Sequence, residues 1–384
     1  MAQEQLPDDR NGAAMVSWMP LMVAALSSYG SIAFNYGLAL YFLDYRYGFV
    51  KRGLLGELFS RVRYIPASHL LAIEYLFLAA AYGLTYAVFR KPIFGTPAER
   101  RLLAALLSAP ALLPHLGYLI SQPDVTLYIL VLGCIAILIY AAPAFAAVAS
   151  CGLCCVALFV HEAFCLMFYP LVAAILLHLC ARRRLPWAAG VAHVLIVLAV
   201  FAAVIHWGTL KVSPDTLLAE AQARTNVGLQ RQVFDVMAST LPQQRALVRR
   251  LYSPSVIRVL GLTLLLSLPY FTLLAKLLNG ATRAARCGRL QRLSTALLFL
   301  CPLSLCAFGH DTTRWIGAMC IDATFFVLYL YLTELPESPV RRNLLNWTSR
   351  PSYVPWFVYL VAIGPYGATG LRAAEQLVST WFGS

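Results

Sequence analysis

"WAAGVAHVLIVLAVFAAVIH", residues 187–206, runs for twenty positions without an aspartate, glutamate, lysine or arginine. A helix rises about 1.5 Å per residue, so roughly 20 residues match the ~30 Å hydrocarbon core of a bilayer. Runs of similar length and character recur along the 384-residue chain, which is 60% hydrophobic and only 12% charged, with mean hydropathy +0.70. Soluble domains are about half apolar. Strands of a membrane barrel would alternate apolar and polar residues, and these runs do not. The sequence therefore specifies an all-α, polytopic transmembrane helical bundle.

Working outward from 187–206, the apolar runs and their boundaries predict about eleven spans: 18–43, 69–89, 102–120, 126–144, 145–161, 163–180, 187–206, 255–279, 294–309, 315–333 and 353–371. The long stretch 126–180 is cut at "AAPA" (142–145) and at "HE" (161–162). Four segments follow: a cytoplasmic tail (1–17), a transmembrane module (18–206), an outer loop long enough to act as a lid (207–253) and C-terminal transmembrane helices (254–384). The polar, acid-containing start "MAQEQLPDDRNGAAMVSW" does not read as a cleavable signal.

The net charge of +13 does not indicate nucleic acid, because the cations lie in short loops between spans. That is the pattern of membrane retention and contact with anionic lipid. Tight clusters such as Arg182–Arg184 abut span ends and predict the N-terminus inside and the C-terminus outside. The expected location is a bacterial inner membrane. Most of the ten cysteines fall inside apolar runs, where "CGLCC" (151–155) reads as small packing residues rather than a metal site. No motif specifies a cofactor; a divalent metal would fit the chemistry below, but no ligand motif indicates one.

This layout gathers reactive groups at the outer face. Asp44 follows the first span directly and fits a general base, or a cap and partner for Arg46. Behind it, "YRYGFVKRGLLGELFSRVR" (45–63) reads as an amphipathic juxtamembrane helix. Leu54, Leu55, Leu58, Phe59 and Val62 would face acyl chains, and Lys51, Arg52 and Arg61 would face lipid phosphate. Gly48, Gly53 and Gly56 allow tight turns or close chain approach. Asp124, after Pro123, is a second site acid or a helix cap. His161 and Glu162 form an ionisable pair at a tight turn, catalytic or structural. In "GHDTTRW" (309–315), His310 and Arg314 share a helical face with Asp311 beside Arg314. An arginine so held suits a lipid phosphate, unless the pair is a plain salt bridge. Asp322, deeper on the same helix, reads as a structural or relay acid that Arg258 could pair.

Acids near an interface, arginines suited to phosphate and a lipid-facing amphipathic segment together fit transfer from a lipid-phosphate-linked donor. In this arrangement the chain resembles the glycosyltransferase-C superfamily. Asp44 in "FLDYRYG" matches an acid after the first span, "VKRGLLGELFSRV" a juxtamembrane helix, and Asp124 in "SQPDV" an acid in the second outer loop. The resemblance covers roughly the first 180–210 residues and is one of topology. The chain departs from it in its short first outer loop, the absence of an acid pair there, and the lack of a large soluble C-terminal domain.

The resemblance implies a polyprenyl-phosphate sugar as donor and a saccharide or lipid as acceptor, with no nucleic-acid partner. By that reading Asp44, Asp124 and Glu162 are catalytic, Arg46, Lys51, Arg52, His310 and Arg314 bind the donor phosphate, and His161 and Asp311 support them. Alternatives are a polysaccharide polymerase, a membrane acyltransferase, or a transporter or flippase of lipid-linked solutes. The absence of an internal repeat disfavours the last.

Overall fold

The structure is a computed structural model describing residues 22, 35–89, 96–120, 122–240, 242–243, 245–246, 252–307, 309, 311–334, 353–367 and 370–382. Helices of five residues or more among these are numbered in chain order. They are α1 (Leu54–Leu58), α2 (Ala67–Val88), α3 (Pro97–Leu107), α4 (Leu113–Tyr118) and α5 (Asp124–Tyr140). Then come α6 (Pro143–Val160), α7 (Tyr169–Ala181), α8 (Trp187–Trp207), α9 (Pro214–Ala223) and α10 (Arg231–Ala238). The last are α11 (Pro254–Ala284), α12 (Arg289–Leu300, continued as a tighter turn to Ala307), α13 (Thr312–Glu334), α14 (Tyr353–Ala362) and α15 (Arg372–Phe382). No strand occurs among the described residues.

Among the described residues six helices are long and apolar enough to cross a membrane: α2, α6, α8, α11, α12 with its continuation, and α13. Two further apolar helices, α5 and α7, are shorter. The expected count of about eleven is not confirmed by the described residues. Residues 102–120 make no single span, because Pro110 and Pro114 interrupt the backbone ladder and leave α3 and α4 separated by a turn. Residues 353–371 give only the ten-residue α14 before the chain turns. Most of 18–43 lies outside the described residues. The divisions of 126–180 hold: Pro143 opens α6, and His161 ends it with extended backbone.

α13 is the central helix. In its most apolar window 83% of residues are buried, against 17–39% for the other five long helices. Around it pack α11, α7 and the tight turn after α12, while α5 lies against α6 and α2. The outer helices expose Leu195, Ile196, Leu264, Leu265 and Leu268, the surface a helix presents to lipid. With no water in the bilayer core, backbone polar groups are satisfied within the helices themselves.

A second apolar cluster caps one end of this bundle. Leu38–Leu43, Val50, Ile65 and Leu70 pack against Leu217, Ala221, Val233, Phe234 and Met237 of α9 and α10. Backbone hydrogen bonds join the two segments: Lys51 N–H to the Gly208 carbonyl (2.8 Å) and Ile65 N–H to the Arg224 carbonyl (2.8 Å). Asn226 Oδ1 accepts from the Ala67 N–H that opens α2 (2.8 Å). The expected lid segment is thus folded onto the segment after the first span.

The amphipathic helix is shorter than expected and differently oriented. Only Leu54–Leu58 is α-helical, preceded by a single 3-10 turn at Tyr45–Tyr47. Leu58 and Val62 are exposed as foreseen, but Lys51 and Arg52 are buried rather than lying on an outer polar face. Gly56 explains part of this: a Cβ there would stand 1.9 Å from the Leu43 carbonyl oxygen, so α1 rests directly on the chain leaving the first span. Gly56→Ala is expected to destabilise the protein by about 1–3 kcal/mol or more. Gly83→Ala, where a Cβ meets nothing within 4 Å, should stabilise α2 by up to about 1 kcal/mol. Thermal unfolding in detergent checks both; an unaffected Gly56→Ala variant would contradict the close approach.

Candidate functional site at the capped interface

Asp124 is the first residue of α5 and is 1% exposed. Its side chain does not cap that helix. Instead Arg314, in the first turn of α13, donates from Nε to Asp124 Oδ2 (2.5 Å) and from Nη2 to Oδ1 (2.6 Å). Asp311, one turn earlier than Arg314, accepts from Nη1 at 2.9 Å, as the spacing predicts. The Arg314 fork is therefore occupied by two aspartates and does not face outward as a free phosphate ligand. A two-pronged guanidinium–carboxylate pair is the strongest neutralisation two side chains can give each other, and here it ties α13 to α5.

The turn after α6 supplies a second clasp. Arg52 donates to both Glu162 oxygens, from Nε (2.8 and 3.1 Å) and from Nη2 (2.5 Å). Arg52 adopts left-handed backbone, φ +63°, which costs a side-chain-bearing residue about 1–2 kcal/mol. Burial opposes ionisation of Glu162, but the Arg52 guanidinium outweighs it and holds the carboxyl well below the usual range. His161 Nδ1 accepts the Ala163 N–H (3.0 Å), which leaves the ring proton on Nε2. Burial, then the Arg52 charge, pushes His161 down to about 3 despite Glu162 beside it, so the imidazole is neutral. His161 lies within electrostatic reach of both Asp124 and Arg314, which joins the two clasps into one cluster.

Lys51 completes it. The side chain is buried and makes no ion pair or side-chain hydrogen bond among the described residues. Burial pushes its ammonium below the ordinary lysine value, while Glu162 pulls the other way and Arg52 adds to the lowering.

Asp44 is held by residues of the cap rather than by the arginines of this cluster. It is 2% exposed and accepts from Arg46 Nε at 2.9 Å to each oxygen, with Arg224 Nη1 at 3.4 Å. It also accepts the Arg46 backbone N–H (3.2 Å), so it serves as both turn cap and Arg46 partner. The Arg46 side chain is half exposed. Arg224 went unnoticed in the sequence because it lies 180 residues from Asp44; it also donates to the carbonyls of Phe59 (2.9 Å) and Val62 (3.2 Å). His310 lies outside the described residues. Asp322 is not paired with Arg258: neither carboxyl oxygen has a hydrogen-bond partner among the described residues.

Among the described residues no group of three or more His, Cys, Asp or Glu side chains is arranged to hold a metal ion, and the ten cysteines are free. No protein-family model, curated protein or solved structure matches this chain.

Removing one partner from a buried ion pair strands the other. Arg314→Met should destabilise by about 3–5 kcal/mol, and adding Asp124→Leu should restore most of it. Denaturation of the single and double variants checks this, and additive losses would contradict the clasp. The neutral His161 gives a pH signature. Its folded value lies below the ordinary 6.5, so the unfolded chain takes up the proton first and stability falls as pH drops from about 6.5 toward 3. Between pH 7 and pH 5 the loss should be on the order of 2 kcal/mol. His161→Gln should flatten the profile measured by thermal unfolding; an unchanged slope would contradict it.

Proposed function

We propose that the chain is an integral membrane glycosyltransferase that moves a sugar from a polyprenyl-phosphate donor to a saccharide or lipid acceptor at the outer face of a bacterial inner membrane. The observation that carries this reading is Lys51, a buried cation that among the described residues has no ion-pair partner, beside a cluster whose other charges are paired. A phosphate monoester or diester is the anion such a position suits, and the neighbouring exposed Leu58 and Val62 offer an apolar path for a lipid tail. The resemblance in topology to glycosyltransferase-C enzymes supports the same class.

In this mechanism Lys51 binds the donor phosphate, and the half-exposed Arg46 turns from Asp44 to the phosphate as the donor enters. Asp44, still held by Arg224 at Oδ2, accepts the proton of the acceptor hydroxyl at Oδ1. The acceptor oxygen bonds to the sugar anomeric carbon as the bond from that carbon to the phosphate oxygen breaks. Polyprenyl phosphate departs with the electron pair, its growing negative charge stabilised by Lys51 and Arg46. Arg52 and Arg314 act through the acids they hold: Glu162 sets the field around Lys51, and Asp124 keeps α5 and α13 in register. This reassigns Arg52 and Arg314 from donor contact to positioning.

Proteoliposomes carrying a panel of polyprenyl-phosphate hexoses test the reading. Asp44→Asn should lower transfer by about 10²–10⁴-fold while polyprenyl monophosphate still binds. Lys51→Met should weaken polyprenyl monophosphate binding at least about tenfold, a loss of roughly 1.4 kcal/mol. Full transfer by Asp44→Asn would remove that residue from the reaction, and unchanged binding by Lys51→Met would remove the phosphate site.

A further inference from the structure

The opposite end of α13 carries a second polar assembly. Glu334 closes that helix, about 30 Å from Arg314 along its axis. Here two turns meet, one between α7 and α8 and one between α11 and α12. Arg182 bridges them, donating to the Ala285 carbonyl and to Glu334 Oε2 (3.1 Å). Arg184 and His178 contact the other oxygen of Glu334, at 3.2 and 3.3 Å.

Both turns end their helices in the same way. Arg183 N–H bonds to the Cys180 carbonyl and Arg184 N–H to that of Leu179, each at 2.9 Å. Arg286 N–H bonds to the Arg283 carbonyl and Cys287 N–H to that of Thr282, again at 2.9 Å. The left-handed residue of this closure is usually glycine. Here it is arginine twice, at φ +57° (Arg183) and φ +50° (Arg286). The helix dipole does not account for that, because Arg182 and Arg283 already place cations at the same helix ends without left-handed backbone.

Among the described residues this charge is answered only by Glu334. Neither 163–214 nor 254–310 contains an aspartate or glutamate, and Glu334 is already shared by Arg182, Arg184 and His178. Arg183, Arg283, Arg286 and Arg289 are exposed and make no ion pair among the described residues. Arg292 Nε is buried without a hydrogen-bond partner. Trp187, Leu290 and Leu293, on the same turns and first helical turns beyond them, are 57%, 77% and 57% exposed. A ligand here meets arginines and bare apolar surface together, which suits a phosphate attached to acyl chains rather than a free ion.

We propose that the paired turns Arg182–Pro186 and Ala285–Gly288 bind the phosphate headgroup of an anionic phospholipid, with Arg183 and Arg286 as its principal contacts. Left-handed backbone sets two exposed arginines on adjacent turns, with Trp187 and Leu290 to meet the acyl chains. The site is independent of the transfer chemistry at the other interface.

Native mass spectrometry of the full chain in neutral detergent, titrated with phosphatidylglycerol, phosphatidylcholine and inorganic phosphate, tests this. Phosphatidylglycerol should bind at least tenfold tighter than phosphatidylcholine, and millimolar inorganic phosphate should not displace it. Arg183→Gly/Arg286→Gly should lower phosphatidylglycerol affinity at least tenfold while its thermal stability in detergent stays equal or rises, because glycine accepts the left-handed backbone. Equal binding of the two lipids, displacement by inorganic phosphate, or unchanged affinity in the glycine variant would overturn the proposal. A drop in the variant's stability would do so too, by making the arginines structural.

Discussion

A charge inside an apolar assembly must be answered from within, and the Arg314–Asp124 fork is the interaction on which this structure turns. It joins the start of α13, the most enclosed helix, to the start of α5, whose Tyr128 ring also packs on Phe325 of α13 (5.3 Å between ring centres). Asp311 takes the remaining reach of the guanidinium, so three charges cancel locally to one. Fixing these two helix starts also fixes the turn after α6, because α5 lies along α6. His161 and Glu162 thereby come next to the fork, and Arg52 arrives from the segment behind the first span to hold Glu162.

The cap supplies the other half of the design. Residues 38–70 and 208–238 would each expose apolar surface alone, and they bury it against one another. Arg224 shows how tightly the halves depend on each other, since one side chain reaches Asp44 and two carbonyls of the segment after α1. The result is a folded cover above the charged cluster. Lys51 belongs to both: its N–H bonds to Gly208 in the cap's second strand of chain, and its ammonium lies near Glu162 in the bundle. Among the described residues the Lys51 ammonium has no ion-pair partner at that seam, and the proposed phosphate site rests on this cation.

Much of the membrane character was legible because the bilayer imposes length and polarity on each span. Thus 187–206 was found to within a residue, and Pro143 and His161 divided 126–180 where the sequence suggested. Pro110 and Pro114 were visible yet outweighed by the apolar run around them, so 102–120 was read as a span although the backbone breaks there. At the site, the Asp311–Arg314 pair was readable because helical spacing is local. The partners of Asp44, Asp124 and Glu162 were not, because Arg224, Arg314 and Arg52 come from distant segments and pairing across 110–190 residues leaves no local pattern. The inward turn of Lys51 and Arg52 was hidden for a different reason. It follows from α1 lying on Leu43 at Gly56 and from left-handed backbone at Arg52, neither of which periodicity reports.

The central claim is that the uncommitted cation beneath the cap receives a lipid phosphate. The most direct measurement is a cryo-electron microscopy map of the protein in lipid nanodiscs supplied with polyprenyl monophosphate. The account predicts phosphate density in contact with Lys51 below the 208–238 cover, with Arg46 turned away from Asp44 and the polyprenyl tail leaving past Leu58 and Val62. Phosphate density away from Lys51, or a solute held midway through the bundle, would contradict it.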